Sequence, residues 1–172
     1  MKFNQYLYNK SNLLFLIQDT MENIIGGYLS ERIINKNDLF SDSSETCTIH
    51  DSNAFLFSIK ENELEKYPIK QEMSKYAFLL NNEYLFSFGK GNDICVYNKT
   101  TKRKIKTREG SYQYDGEIKS VSGKDYITMK RFCIIQMIKK ENEFSIEEMI
   151  QLILNDENEM KSKTSKNNCV IC

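Results

Sequence analysis

The chain has no tryptophan, a single proline, a single histidine and no excess of either charge, with 24 Lys+Arg against 24 Asp+Glu in 172 residues. Each lack excludes something. One proline and seven glycines rule out collagen-like and linker-rich chains. A net charge of zero argues against a whole-domain nucleic-acid binder, which carries a basic excess. No apolar run approaches the ~18–20 residues of a spanning helix. Residues 1–20 lack the layout of a secretory signal. What is present is 40% hydrophobic residues and 12% aromatics, enough for one packed domain. The expectation is a soluble cytoplasmic domain whose function must come from its motifs.

Five cysteines, Cys47, Cys95, Cys133, Cys169 and Cys172, are an odd number at wide spacing and do not read as a disulfide framework. Cys95 and Cys133 sit in apolar stretches (Ile94-Cys95-Val96, Phe132-Cys133-Ile134) and read as small core hydrophobes. Cys47 falls in a polar, turn-rich stretch over 35–53 that reads as a loop.

Short apolar segments recur between turns. Leu13–Ile17 and Ile24–Leu29, around Gln18–Asn23, form a predicted buried hairpin. Gly26-Gly27 within it predicts a bulge or a close backbone approach. Phe55, Phe57 and Ile59 share one face at period two. Charged, mixed sequence follows to Tyr67-Pro68. Tyr76–Leu80, Tyr84–Phe88, Ile94–Tyr97 and Tyr126–Ile138 are further strand candidates, the last with Ile127, Met129, Cys133, Ile135 and Met137 at even spacing. Many short strands and few helices predict a mainly β chain with flanking helices (α+β), as a two-sheet antiparallel β-sandwich. One helix is predicted over 144–160. Ser145 and Glu148 have capping-box spacing, and Ile146, Met149, Ile150, Ile153 and Leu154 form an apolar stripe. Residues 161–172 read as a flexible basic tail.

In order, these pieces resemble the TLDc domain family. The resemblance lies in the glycine-bearing hairpin Leu13–Tyr28, the Phe55-Leu56-Phe57-Ser58 strand, the strand pair around Gly89 and Gly91 from Tyr84 to Tyr97, and the closing strand Tyr126–Met137. It covers residues 5–139. The chain departs from the family pattern in its shortened glycine turn, in lacking tryptophan on the closing strand, and in having little helical sequence before Leu13. The resemblance implies a two-sheet sandwich and a non-catalytic role in protein contacts. It further implies links to oxidative-stress resistance and to the vacuolar proton pump, with no catalytic residues or cofactor to carry over.

The sharpest local motif is Cys169-Val170-Ile171-Cys172, which has the C-a-a-X layout of a prenylation site. A thiol nucleophile four residues from a carboxylate, followed by two aliphatics, is what prenyl transferases read. Lys161, Lys163 and Lys166 upstream supply the second, electrostatic signal that stable anchoring needs. The expectation is a prenyl lipid on Cys169, farnesyl favoured with geranylgeranyl open, and a location on the cytosolic face of a membrane. Cys169 and Cys172 also form C-x-x-C, but a polar tail supplies nothing to lower a thiol pKa.

The remaining motifs read as structural. Cys47 and His50 have C-x-x-H spacing but lack further ligands for a zinc site, so both read as loop residues. Lys99, Lys102, Arg103, Lys104, Lys106 and Arg108 form a basic run without interleaved aromatics, read as a solvated loop that could also support membrane contact. Residues 141–159 carry acids and no base, the solvated face of the predicted helix, whose stripe packs on its own domain or docks on a partner. No nucleophile elbow, P-loop or dinucleotide fingerprint is present. Three functions are weighed: a tethered non-enzymatic interaction module binding a protein such as a proton-pump subunit and no nucleic acid; a thiol-based antioxidant protein; and a purely cytosolic interaction domain with an inert tail.

Overall fold

Alternating and fully apolar segments leave the chain few options other than pairing strands. The computed structural model describes residues 3–34, 46–60, 63–81, 83–90, 92–97, 104–108, 110–114 and 120–137. After a 3-10 turn at Phe3–Tyr6, the strands are β1 (Leu13–Asp19), β2 (Ile24–Leu29), β3 (Cys47–Ile49), β4 (Phe55–Lys60) and β5 (Glu63–Pro68). A 3-10 helix follows at Gln71–Tyr76. Then come β6 (Phe78–Leu80), β7 (Tyr84–Phe88), β8 (Ile94–Tyr97), β9 (Lys104–Lys106) and β10 (Tyr126–Gln136). Among the described residues no helix is long and apolar enough to cross a membrane. The predicted helix over 144–160, the tail over 161–172 and the sites Lys161, Lys163, Lys166 and Cys169 lie outside the described residues.

All ten strands among the described residues pair antiparallel in one continuous sheet, ordered β3-β6-β7-β8-β9-β10-β1-β2-β4-β5, rather than in two separate ones. The reason is the length of β10. Its first three residues pair with β9 and its remainder with β1, so one strand joins both halves. In a flat sheet β1 and β7, four places apart, would be roughly 19 Å distant. Instead the Phe15 ring of β1 lies 4.9 Å from Phe86 and 5.2 Å from Phe88 of β7, and 5.1 Å from Phe78 of β6. The sheet therefore turns over on itself, and these rings form the centre of the main core together with Leu13, Ile17, Ile25, Leu56, Ile105 and Ile127. Offset and edge-on ring pairs of this kind add to the burial of their area.

The hairpin over 13–29 forms as the sequence predicts, and its glycines are there for space. A Cβ on Gly26 would stand 2.0 Å from the Phe15 carbonyl oxygen, and one on Gly27 would stand 2.6 Å from the Phe88 ring. The even spacing along β10 does not survive. Gln18 pairs with Arg131 but Asp19 pairs with Met129, so Lys130 is an extra residue on β10. Such a bulge reverses side-chain parity. Ile127 and Met129 accordingly meet the main core, whereas Cys133, Ile135 and Met137 join a second cluster with Leu14, Leu16, Phe57 and Ile59 on the opposite face.

The charged, mixed stretch is assigned and two further readings are corrected. Residues 63–68 form an edge strand, with Glu63, Glu65, Lys66 and Pro68 exposed, devices that discourage further strand addition. Part of the basic run is strand rather than loop, since Lys104–Lys106 pairs on both sides with β8 and β10. Cys47 belongs to β3 and is buried, because it pairs with Leu80 and closes the core at the sheet edge.

Candidate interaction face

The buried polar groups come first, since a reaction centre would need them. Asp51 accepts hydrogen bonds from the Ser30 amide (2.6 Å), the Ser30 hydroxyl (2.8 Å) and the Asn53 amide (2.9 Å), tying the end of β2 to the turn before β4. Asp19 accepts the Met21 and Asn23 amides and so caps its own hairpin turn. Asp93 is fully buried and holds the segment 110–114. It accepts the amides of Gly110 (3.0 Å), Ser111 (2.8 Å) and Tyr112 (3.1 Å) and the Tyr114 hydroxyl (3.3 Å). Burial pushes the Asp93 carboxyl up to about 6, against these four donors, which favour the charged form. Gly89 allows this packing: it turns at φ 74°, and a Cβ there would meet Asp93 Oδ2. Tyr112 completes the clamp by donating to the Ala77 carbonyl at 2.8 Å, and its own hydroxyl pKa is raised by burial and then by Asp93 and Asp51. These carboxylates organise loops, and their described partners are backbone amides and the hydroxyls of Ser30 and Tyr114 together with the Asn23 amide side chain.

The histidine and thiols do not converge either. His50 Nε2 lies 3.0 Å from Ser74 Oγ, while the Cys47 thiol faces the Ile34 carbonyl at 3.8 Å. Among the described residues no three His, Cys, Asp or Glu side chains gather as a metal site. Cys95 is fully buried, and burial pushes its thiol up to about 11, so at neutral pH it holds little thiolate. Cys133 is half-buried on the second cluster.

What the outer surface does offer is a set of tyrosines beside lysine. Cross-strand partners share a face. Lys106 of β9 pairs with Tyr126 of β10 on one side and with Cys95 of β8 on the other. Tyr97, two residues beyond Cys95, pairs with Tyr84 of β7, and their rings meet edge-on at 5.5 Å. Tyr84, Tyr97, Lys106 and Tyr126 therefore occupy one face, opposite Phe86, Phe88, Ile94, Val96, Ile105 and Ile127 of the main core. Tyr126 is 56% exposed. Burial raises the Tyr97 hydroxyl to about 12, and Cys95, Tyr84 and Tyr126 add to the shift as close neighbours. Tyr97 remains a protonated donor at neutral pH. Large amphipathic rings next to a cation suit contact with an acidic protein surface. The sequence hid this face. The basic run contains no aromatics, and only the strand register brings Tyr84, Tyr97 and Tyr126 to Lys106.

The fold is a β-rich one, and the described residues bring together no assembled reaction centre. Comparison with known families matches residues 1–149 to the TLDc domain. The chain belongs to the TLDc domain family, whose domain is generally a non-catalytic interaction module often linked to oxidative-stress resistance. No curated protein matches the chain.

Proposed function

We propose that this chain works by contact rather than by bond chemistry, as a TLDc-type interaction module in oxidative-stress resistance. Its single sheet closes into the two facing layers of a sandwich, and its tyrosine–lysine face meets an acidic protein surface. The resemblance to the family makes a subunit of the vacuolar proton pump the proposed partner. The reading is carried by the family match over 1–149. The use of Asp19, Asp51 and Asp93 as loop anchors supports it. A prenyl thioether on Cys169, assisted by Lys161, Lys163 and Lys166, tethers the module to the cytosolic face of a membrane.

Mass spectrometry of the C-terminal peptide from native protein tests the tether. The expected species carries a prenyl group on Cys169 and has lost the three residues after it. An unmodified Cys169 with those residues intact removes the tether. Fractionation of a Cys169→Ser variant then separates a membrane-bound module, which becomes soluble, from a cytosolic domain with an inert tail, which does not change. The thiol-antioxidant reading has Cys95 against it, buried and with a raised pKa. Peroxide consumption is expected to be the same in the wild type and in a variant with all cysteines replaced by serine. A loss of turnover in that variant would favour the antioxidant.

A further inference from the structure

Two lysines converge on one phenol where the 3-10 helix Gln71–Tyr76 meets the turn after β7. Lys75 Nζ lies 4.9 Å from the centroid of the Tyr76 ring, and Lys90 Nζ lies 4.8 Å from it. The two come from different elements, since Lys75 and Tyr76 end the helix and Lys90 follows β7. The backbone fixes their meeting. The Gly89 amide donates to the Ala77 carbonyl at 3.2 Å, directly after Tyr76. The Lys90 amide donates to Ser111 Oγ at 2.9 Å, and the Lys70 amide, before the helix, donates to the Ser111 carbonyl at 3.0 Å. Asp93 in turn holds the Ser111 amide. The bases of both lysines are therefore set by the fold.

Like charges held beside one another are unfavourable unless something answers them. The ring of Tyr76 answers in part, as a cation–π partner to both. No carboxylate does. Neither ammonium makes an ion pair, not even Lys75 with Glu72 one turn earlier. Hydrogen bonding to Lys75, then the charges of Lys75 and Lys90, hold the Tyr76 hydroxyl below its usual range, so positive charge collects at this phenol.

We infer that Lys75, Tyr76 and Lys90 form a binding site for a phosphate monoester in its dianionic form. Each ammonium offers three N–H donors, and the phenol adds an O–H. A phosphate monoester brings a charge of about −1.5 to −2 at neutral pH and three acceptor oxygens, which matches both the charges and the donors. A carboxylate brings one charge and leaves one ammonium unanswered. Both lysines are exposed, which admits a soluble ester or the headgroup of a lipid. The site shares no residue with the tyrosine–lysine face.

The experiment is an amide NMR titration of the full chain with glycerol phosphate at constant ionic strength, beside flotation with vesicles of phosphatidic acid in phosphatidylcholine. Saturable shifts centred on residues 75, 76 and 90 are expected. A Lys75→Gln/Lys90→Gln variant of unchanged melting temperature should bind at least about tenfold more weakly. Glycerol phosphate binding with no vesicle binding assigns a soluble ester. Vesicle binding that the variant loses, and that pure phosphatidylcholine does not give, assigns a lipid headgroup. Binding of neither by the wild type, or undiminished binding by the variant, overturns the site. Acetate titrated into the wild type gives a second readout that needs no variant: an affinity equal to that of glycerol phosphate overturns the assignment to a dianion.

Discussion

At the scale of single residues, Asp93 does the most with the least exposure. It holds three consecutive amides and a tyrosine hydroxyl. Asp93→Asn puts an amide donor among these donors and is expected to cost about 3 kcal/mol in denaturant unfolding. Its pH signature has a definite sign. The folded carboxyl titrates at about 6 against 3.8 for the ordinary group, so the folded state holds the proton longer. The stability contribution is complete below pH ~4 and is lost as pH rises through ~6, on the order of 3 kcal/mol by linkage. Urea unfolding of wild type between pH 4 and 7 should show this decline, and Asp93→Asn should lack it. Stability rising with pH from this group would contradict the assignment. Gly26 is the second test. Its missing Cβ leaves room for the Phe15 carbonyl, which belongs to the paired strand and cannot swing aside. Gly26→Ala is expected to destabilise by roughly 3 kcal/mol or more, visible as a lowered melting temperature.

At the scale of elements, β10 explains both what the sequence revealed and what it concealed. The strands with simple patterns, β1, β2, β4, β7 and β8, were legible because apolar runs and turn residues mark their ends. β5 was not, because an edge strand is half-solvated and shows only charged, mixed sequence. β9 was not, because three residues amid a basic run carry too little periodicity. The bulge at Lys130 was invisible for a different reason. A parity change depends on the partner's register, and no local pattern encodes it. The candidate face was hidden for the same reason, since Tyr84, Tyr97, Lys106 and Tyr126 meet only through strand order. Deleting Lys130 would remove only the extra residue, leaving Met129 opposite Asp19, Arg131 opposite Gln18, and Phe132 and Ile134 still facing the core. The expected outcome is cooperative unfolding retained by circular dichroism. Loss of the cooperative transition would contradict the parity assignment.

At the scale of the whole molecule, zero net charge conceals a division of labour. Basic sequence at 99–108 feeds β9 and the tyrosine–lysine face, acidic sequence fills 141–159, and lysines return at 161–166. In the proposed reading the first segment faces a partner protein and the last an anionic membrane. The fold supplies the support, because one sheet turned over on itself sets the described strands around a shared aromatic core. A contact module of this kind stands or falls on its surface. The most direct measurement is the affinity of the full chain for the purified cytosolic sector of the vacuolar proton pump, compared with a Tyr126→Ala/Lys106→Glu variant of unchanged melting temperature. Removing an aromatic anchor and reversing its neighbouring charge should weaken binding at least tenfold. Equal affinity of the two proteins, or no binding by the wild type, would contradict the account.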